Sequence, residues 1–452
     1  MRKILKVLPK HMALLLIFLT IGISSFAEGE AVKLDTGNTA WVIVAGAMVF
    51  FMTPGLAFFY GGMARRSSVL HTMMKSFLAI GIGAIVWIVI GYTITFGPNG
   101  NAFLGSMKFL GLSGMTPDLL EPTGIPTLIF VFFQGAFAVI AVALISGAII
   151  ERTKFASYLV FIILWLILVY SVTAHWAWSS DGWLFKMGVL DLAGGTVIHI
   201  SAGVSAVVAA LIIGPRSKKE NGPHNIPYVL LGTGILWFGW FGFNAGSVLA
   251  ANGVAALAVM TTFGASATGF VTWLIWDAIK GKKPSVVGAA IGAVIGLVAI
   301  TPAASFVTPI VSLFIGFASV TTSYWILLSK EKLPFDDVLD VFACHGIGGI
   351  VGALLTGVFA FTTGSGNPSM IKQVGIQFVG IFSIIIYASI MTAIILYAVK
   401  AIFGLRIDQV GDENFNYSID EIIHGELGYG EFTKIKKAEE DTHEGNRIYN
   451  EM

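Results

Sequence analysis

Apolar runs longer than the roughly 18 residues that a helix needs to cross a bilayer recur along this chain. No other feature constrains the fold as much. Backbone in hydrocarbon has no water to bond, so such runs must be helices or closed barrels. Runs of this length are read as helices. Of 452 residues, 56% are hydrophobic and only 12% are charged. A mean hydropathy of +0.83 lies outside the range of soluble globular domains. The predicted class is an all-α polytopic membrane protein. Its 53 glycines suit close helix packing in lipid. A net charge of +1 makes no case for nucleic acid or acidic substrates. The single cysteine, Cys344, excludes an intrachain disulfide and a cysteine metal cluster.

The start reads as a secretory signal over residues 1–27. Arg2, Lys3, Lys6 and Lys10 precede the apolar stretch Met12 to Ile23, and Ser25-Phe26-Ala27 is a small-x-small cleavage site. An uncleaved first helix is the rival. Both place residue 28 outside the cell. Eleven spans are predicted in the domain 28–403, at roughly 39–61, 70–96, 125–149, 155–174, 192–213, 226–247, 255–279, 285–301, 305–328, 339–361 and 374–403. Alternate loops hold twelve basic residues, Arg65 and Arg66 through Lys330 and Lys332. The opposite side holds four: Lys33, Lys108, Lys186 and Lys372. The positive-inside rule then puts the N-terminus outside and the charged tail, 404–452, in the cytoplasm.

Eleven spans suggest five plus five plus one, an inverted repeat with its site near the midplane. Two histidines support this. Asp191 leads to His199, and Asp337 leads to His345 by the same interval, at the starts of spans 5 and 10. Eight helical residues rise about 12 Å, so each histidine lies about that far from opposite membrane faces. In a core of roughly 30 Å the two are then within reach of each other. The same arithmetic turns each aspartate about 80° away from its histidine, so the aspartates read first as helix caps. A lone buried histidine is usually a satisfied core residue. A symmetric pair favours a functional site, because intramembrane ionisable groups mark pathways. Two neutral rings can share one hydrogen bond and each offer an edge to a small polar molecule.

Aromatic residues gather near the outer ends of the spans. Phe133 and Phe137 share a helix face in span 3, Trp176 and Trp178 end span 4, and Phe243 to Ser247 closes span 6. Singly these are belt and packing residues. Together they make a mouth for a small cation, at about 0.5–2 kcal/mol per ring. That is far below the tens of kcal/mol needed to desolvate an unpaired ammonium ion, so a substrate that sheds its proton at the mouth is favoured.

Motifs then carry a resemblance. They are Phe59-Tyr60-Gly61-Gly62, Phe133-Gln134 with Phe137, Glu151-Arg152, Asp191 through His199, Gly239 through Ser247, and Asp340-Val341-Phe342 with His345-Gly346. In these the chain resembles the ammonium transporter family (Amt/Mep/Rh), on its bacterial and archaeal Amt side. The resemblance implies an eleven-helix protomer, a homotrimer and a pore through each subunit. It implies ammonium, ammonia and methylammonium as substrates, with no cofactor and no enzyme activity. By motif position, Phe137, Trp178 and Ser247 would form the recruitment site, and Phe133, Phe137 and Phe243 the gate. His199 and His345 would be the twin pore histidines, and Asp191 would support the recruitment site from behind. Asp420 to Glu426 and Tyr429 resemble the family's tail, which would communicate between subunits, while a PII-type signalling protein would plug the cytoplasmic exits. The stretch Asp408 to Tyr417 and the extension from Phe432 depart from that pattern.

The alternatives are an ammonium sensor, which a fused signalling domain would support, and a neutral gas channel of Rh type. Trp178 and Ser247 favour a cation site over the latter. An intramembrane metalloenzyme lacks an H-E-x-x-H motif.

Overall fold

A computed structural model describes residues 32–216, 222–407 and 418–429. The secretory signal, the stretch Asp408 to Tyr417 and the extension from Phe432 lie outside the described residues.

The described chain is a helical bundle. Ten helices are long and apolar enough to cross a membrane: α1 (Thr36–Met63), α2 (Arg66–Phe96), α3 (Thr127–Ile149), α4 (Phe155–Met187), α5 (Gly195–Ile213), α6 (Ile226–Gly246), α7 (Gly253–Ile279), α9 (Pro309–Leu328), α10 (Phe342–Thr363) and α11 (Met370–Phe403). Between α7 and α9 lies α8 (Val286–Ile300), apolar but only 15 residues long. At about 1.5 Å per residue it falls short of a roughly 30 Å core. It is buried along nearly its whole length, and the irregular Thr301–Val307 that continues it is also almost wholly buried. Non-helical backbone at membrane depth is tolerated where protein surrounds it. A twelfth, short helix, α12 (Ile419–His424), belongs to the tail.

Caps explain where the helices begin. Asp35, Asn225, Asn252, Ser285 and Ser369 each accept a backbone N–H in the first turn of α1, α6, α7, α8 and α11. Pro309 occupies the first position of α9, so that helix starts later than the expected 305. The last span starts earlier, at Met370, because Ser369 caps it. Helix α4 outruns its expected end at 174, reaching Trp178 before a turn and the short piece Trp183–Met187.

Small residues let the helices cross closely. A Cβ on Gly232 of α6 would stand 2.3 Å from the Phe59 nitrogen of α1. At the crossing of α5 and α10, a Cβ on Gly203 would stand 2.3 Å from the Gly346 nitrogen. Close backbone approach of this kind is how helices associate in lipid. Phe50, Phe51, Phe238, Phe263, Phe314 and Ile390 point outward, as a lipid-facing surface allows.

One end of the bundle is tied by charge. Glu151 accepts from the backbone and guanidinium of Arg65 and from Arg216, at 3.0–3.3 Å. Arg216 also forks onto both oxygens of Asp336, at 2.9 and 3.1 Å. The tail docks on the same end. Asp420 accepts from the Leu70 and His71 nitrogens at 2.9 and 2.8 Å, and so caps α2. His424 meets the His71 ring at 3.2 Å. The Tyr429 hydroxyl bonds His224 Nε2 at 2.8 Å.

Candidate functional site

The two histidines meet inside the bundle. His199 and His345 are both buried, and their Nδ1 atoms lie 3.2 Å apart. The rings are nearly parallel, at 21°, with centroids 5.2 Å apart. An Nδ1–Nδ1 contact needs one ring to donate and the other to accept. Which ring holds the proton is set by whatever the two Nε2 atoms bond.

The helix arithmetic behind their depth does not hold locally. Each histidine sits in a π-helical turn, Gly195–Ile200 or Phe342–Ile347. The His199 nitrogen bonds back five residues to the Gly194 carbonyl, at 3.0 Å. The cause is the preceding aspartate. Asp191 accepts from the nitrogens of Gly194, Gly195, Thr196 and Val197 and from the Thr196 hydroxyl. To present four successive N–H groups to one carboxylate the chain must turn sharply. Gly194 does so with φ +108°, where a side chain would be strained. The regular helix therefore starts later than the expected 192. Asp337 accepts from the Phe342 nitrogen at 2.7 Å in the matching position of α10, which likewise starts after the expected 339. π-Turns are uncommon and concentrate at functional sites.

From the histidines an aromatic file runs to one end of the bundle. His199 stacks on Phe243 at 5.9 Å and 22°. Phe243 overlaps Phe137 at 4.3 Å and 30°. Phe137 meets the edge of Trp178 at 6.2 Å and 89°, and Phe133 packs behind it at 4.8 Å. The Trp178 indole donates to the Asp191 carbonyl at 2.9 Å, so the turn that shapes the His199 region also holds Trp178. Ser247 joins this group through Phe243, whose carbonyl accepts its hydroxyl at 2.8 Å. The Asp191 carboxylate itself is spent on the backbone of its own turn.

Beside the rings runs a narrow apolar cavity lined by Met52, Leu56, Ile140, Leu236 and Val294 together with both histidines. Its free volume suits about one water-sized molecule at a time. Phe137 and Phe243 are both buried and overlap, and Phe243 also lines the cavity. No group of three or more metal-binding side chains occurs among the described residues.

Of the rings stacked on His199, one was not singled out from the sequence. Trp240 stacks on His199 at 5.4 Å and 21°, and its indole donates to the Thr301 hydroxyl at 2.9 Å. It lies three residues before Phe243, on the same helix face. That spacing was the available signal.

The family model described as Ammonium Transporter Family matches residues 40–429. An ammonium transporter of Aquifex aeolicus is 47% identical over 416 residues, covering 90% of this chain and 96% of the relative. One from Bacillus subtilis is 42% identical over 408 residues, covering 88% and 99%. The crystal structure of Saccharomyces cerevisiae Mep2 superposes with a TM-score of 0.77 at 35% identity, covering 83% of this chain and 88% of that one. A structure described as a sensor Amt protein gives 0.76 at 29%, covering 82% and 95%. With ten membrane-length helices and a family match along nearly all of its described length, this chain is a multi-pass membrane protein of the ammonium transporter family.

Proposed function

We propose that the chain recruits ammonium at Phe137, Trp178 and Ser247, strips its proton near a gate of Phe133, Phe137 and Phe243, and conducts ammonia past His199 and His345 into the cytoplasm. The observation that carries this reading is the unbroken file of rings from Trp178 to the histidine pair. Ring faces attract a cation by about 0.5–2 kcal/mol each. They do not offset the loss of water from a bare charge in an apolar lumen. Ammonia, which is neutral and both donates and accepts, suits a lumen whose polar groups are imidazole edges.

On this reading the tied, basic end faces the cytoplasm of a cell whose inner membrane holds the protein, and the aromatic mouth faces out. Residues 28–403 form the transport domain, and 404–452 form a cytoplasmic regulatory tail. The family implies a homotrimer, methylammonium as a second substrate, and a PII-type partner at the cytoplasmic face. The structural neighbour described as a sensor motivates one alternative, in which the same site signals occupancy.

A current measurement on purified protein in a supported membrane separates these. An ammonium pulse is compared with a matched potassium pulse. A transient with ammonium alone supports charge-coupled transport, with the proton crossing by its own route. If no current appears, a pH-dye uptake assay on the same vesicles distinguishes neutral ammonia conduction from a sensor. Absence of flux in both assays rejects transport.

A further inference from the structure

Away from the lumen, a cavity of about 320 Å³ opens between the ends of α7 and α9 and the start of α8. Its lining carries both signs of charge. Asp277 is buried and accepts from the Tyr324 hydroxyl and the Ser285 nitrogen, each at 3.1 Å. Two acceptors remain on that carboxylate, since an ionised carboxyl offers about four sites. Trp273 and Tyr324 form an aromatic wall, edge to face with centroids 5.0 Å apart. Lys282 and Lys283 stand at the rim, both exposed, with the Lys282 ammonium 5.9 Å from the Tyr324 ring.

A simple anion at this site would face Asp277, and a simple cation would face the two lysines. A ligand that carries an ammonium group and a phosphate a few bonds apart satisfies both ends. The flanking surface identifies where such a ligand comes from. Leu328, which lines the cavity, and Val286, next to Ser285 at its edge, are exposed and offer an apolar edge for acyl chains. Trp276 and Trp325 pair at 5.5 Å nearby, with the Lys280 ammonium over Trp325 at 4.2 Å. Tryptophan with lysine at a helix end is the signature of the membrane–water boundary, and basic pockets between helices there take lipid headgroups.

We propose that this cavity binds the headgroup of a phosphatidylethanolamine-type lipid, with the phosphate on Lys282 and Lys283 and the primary ammonium on Asp277 against Trp273 and Tyr324. A primary ammonium is preferred to a trimethylated one because the carboxylate has acceptors to fill. The site shares no residue with the ring file, so it stands whether or not the transport reading does.

The test uses the full chain purified in detergent and counts bound lipid by native mass spectrometry. Probes are short-chain phosphatidylethanolamine, phosphatidylcholine and phosphatidylglycerol, with O-phosphoethanolamine and inorganic phosphate as headgroup-only controls. The wild type should hold phosphatidylethanolamine about tenfold tighter than phosphatidylglycerol, the scale of one charge-assisted hydrogen bond. K282E/K283E should lose that binding by a similar factor, and D277N should bring the two lipids level. Because Asp277 also braces Ser285, the rim double variant decides the matter if D277N fails to fold. Equal retention of phosphatidylglycerol by the wild type, or undiminished binding in K282E/K283E, overturns the proposal. So does headgroup-only binding as tight as the lipid, which would mark a soluble-phosphate site. A disulfide cross-link formed between subunits through K283C, with no lipid retained, would mean that a second copy covers the cavity instead.

Discussion

At the scale of single residues, the decisive contact is the 3.2 Å approach of two imidazoles. Removing one ring leaves the other with a buried nitrogen and no partner, a penalty of about 1–3 kcal/mol. His199→Ala is therefore expected to cut ammonium flux by roughly tenfold or more, or to change its selectivity. Ammonium-evoked current measures this, and unchanged flux and selectivity would remove the twin-histidine assignment. Trp178 stands at the far end of the ring file, at the mouth of the proposed path. Trp178→Leu discards the π face along with the indole donor to the Asp191 carbonyl, so the half-saturating ammonium concentration should rise roughly two- to thirtyfold. An unaltered saturation curve would leave Trp178 as a belt residue. Both positions were legible in the sequence, from the repeated Asp-to-His interval and from tryptophans clustered at a span end. Trp240 was not singled out. An aromatic residue in a helix reads as ordinary packing until the ring it covers is known.

At the scale of elements, the paired π-turns depend on how closely α5 and α10 cross. The hypothetical Cβ of Gly203 would also lie 2.5 Å from the Gly346 Cα, and backbone cannot move aside as a side chain can. Gly203→Ala should destabilise the protein by at least about 1–3 kcal/mol, the usual range for overpacking, and lower flux by displacing His345. Gly234→Ala in α6 meets open space and serves as the control. Equal melting temperatures for the two variants would refute the packing account. Asp337, which caps the second turn, brings a pH dependence. Burial, and then the neighbouring charge of Asp340, push its carboxyl up to about 6. The folded-state value lies above the unfolded one, so the ionised form costs stability above about pH 6, and the cost fades as pH falls. The wild type should gain on the order of 1 kcal/mol between pH 7.5 and pH 5 from this group. Asp337→Asn keeps an acceptor for Phe342 and should flatten that gain in a thermal-unfolding series. A series with the wild-type slope would show that Asp337 does not titrate there.

At the scale of the whole molecule, Arg216 joins segments from both halves of the chain. It binds Glu151 after α3 and Asp336 before α10, and it follows α5. The fork holds Asp336 down to about 2: burial alone would raise that carboxyl, but the hydrogen bonds and charge of Arg216 outweigh it. Arg216→Met leaves two buried carboxylates short of their partner. Breaking a buried pair from one side costs about 3–5 kcal/mol. The expected result is a melting temperature lowered by several degrees. Arg216→Lys should rescue only part of it, because an ammonium cannot fork onto both oxygens of Asp336. A variant as stable as the wild type would show that the two halves are held by apolar packing alone.

Hydropathy along the chain determined the membrane class and most of the helical spans, and the repeated Asp-to-His interval pointed to the pairing of the two histidine segments. These rest on local physics: apolar length, backbone satisfaction and the Asp-to-His spacing act on consecutive residues. Two features waited for the tertiary structure. The turn at Asp191 converts the expected regular helix into a π-turn, because one carboxylate collects four backbone donors. The overlap of Phe137 with Phe243, and of both histidines with each other and with Trp240, joins residues from α3, α5, α6 and α10. Contacts between separate helices are set by how closely their backbones cross, and positions such as Gly203 and Gly346 reveal that distance only once the helices are packed.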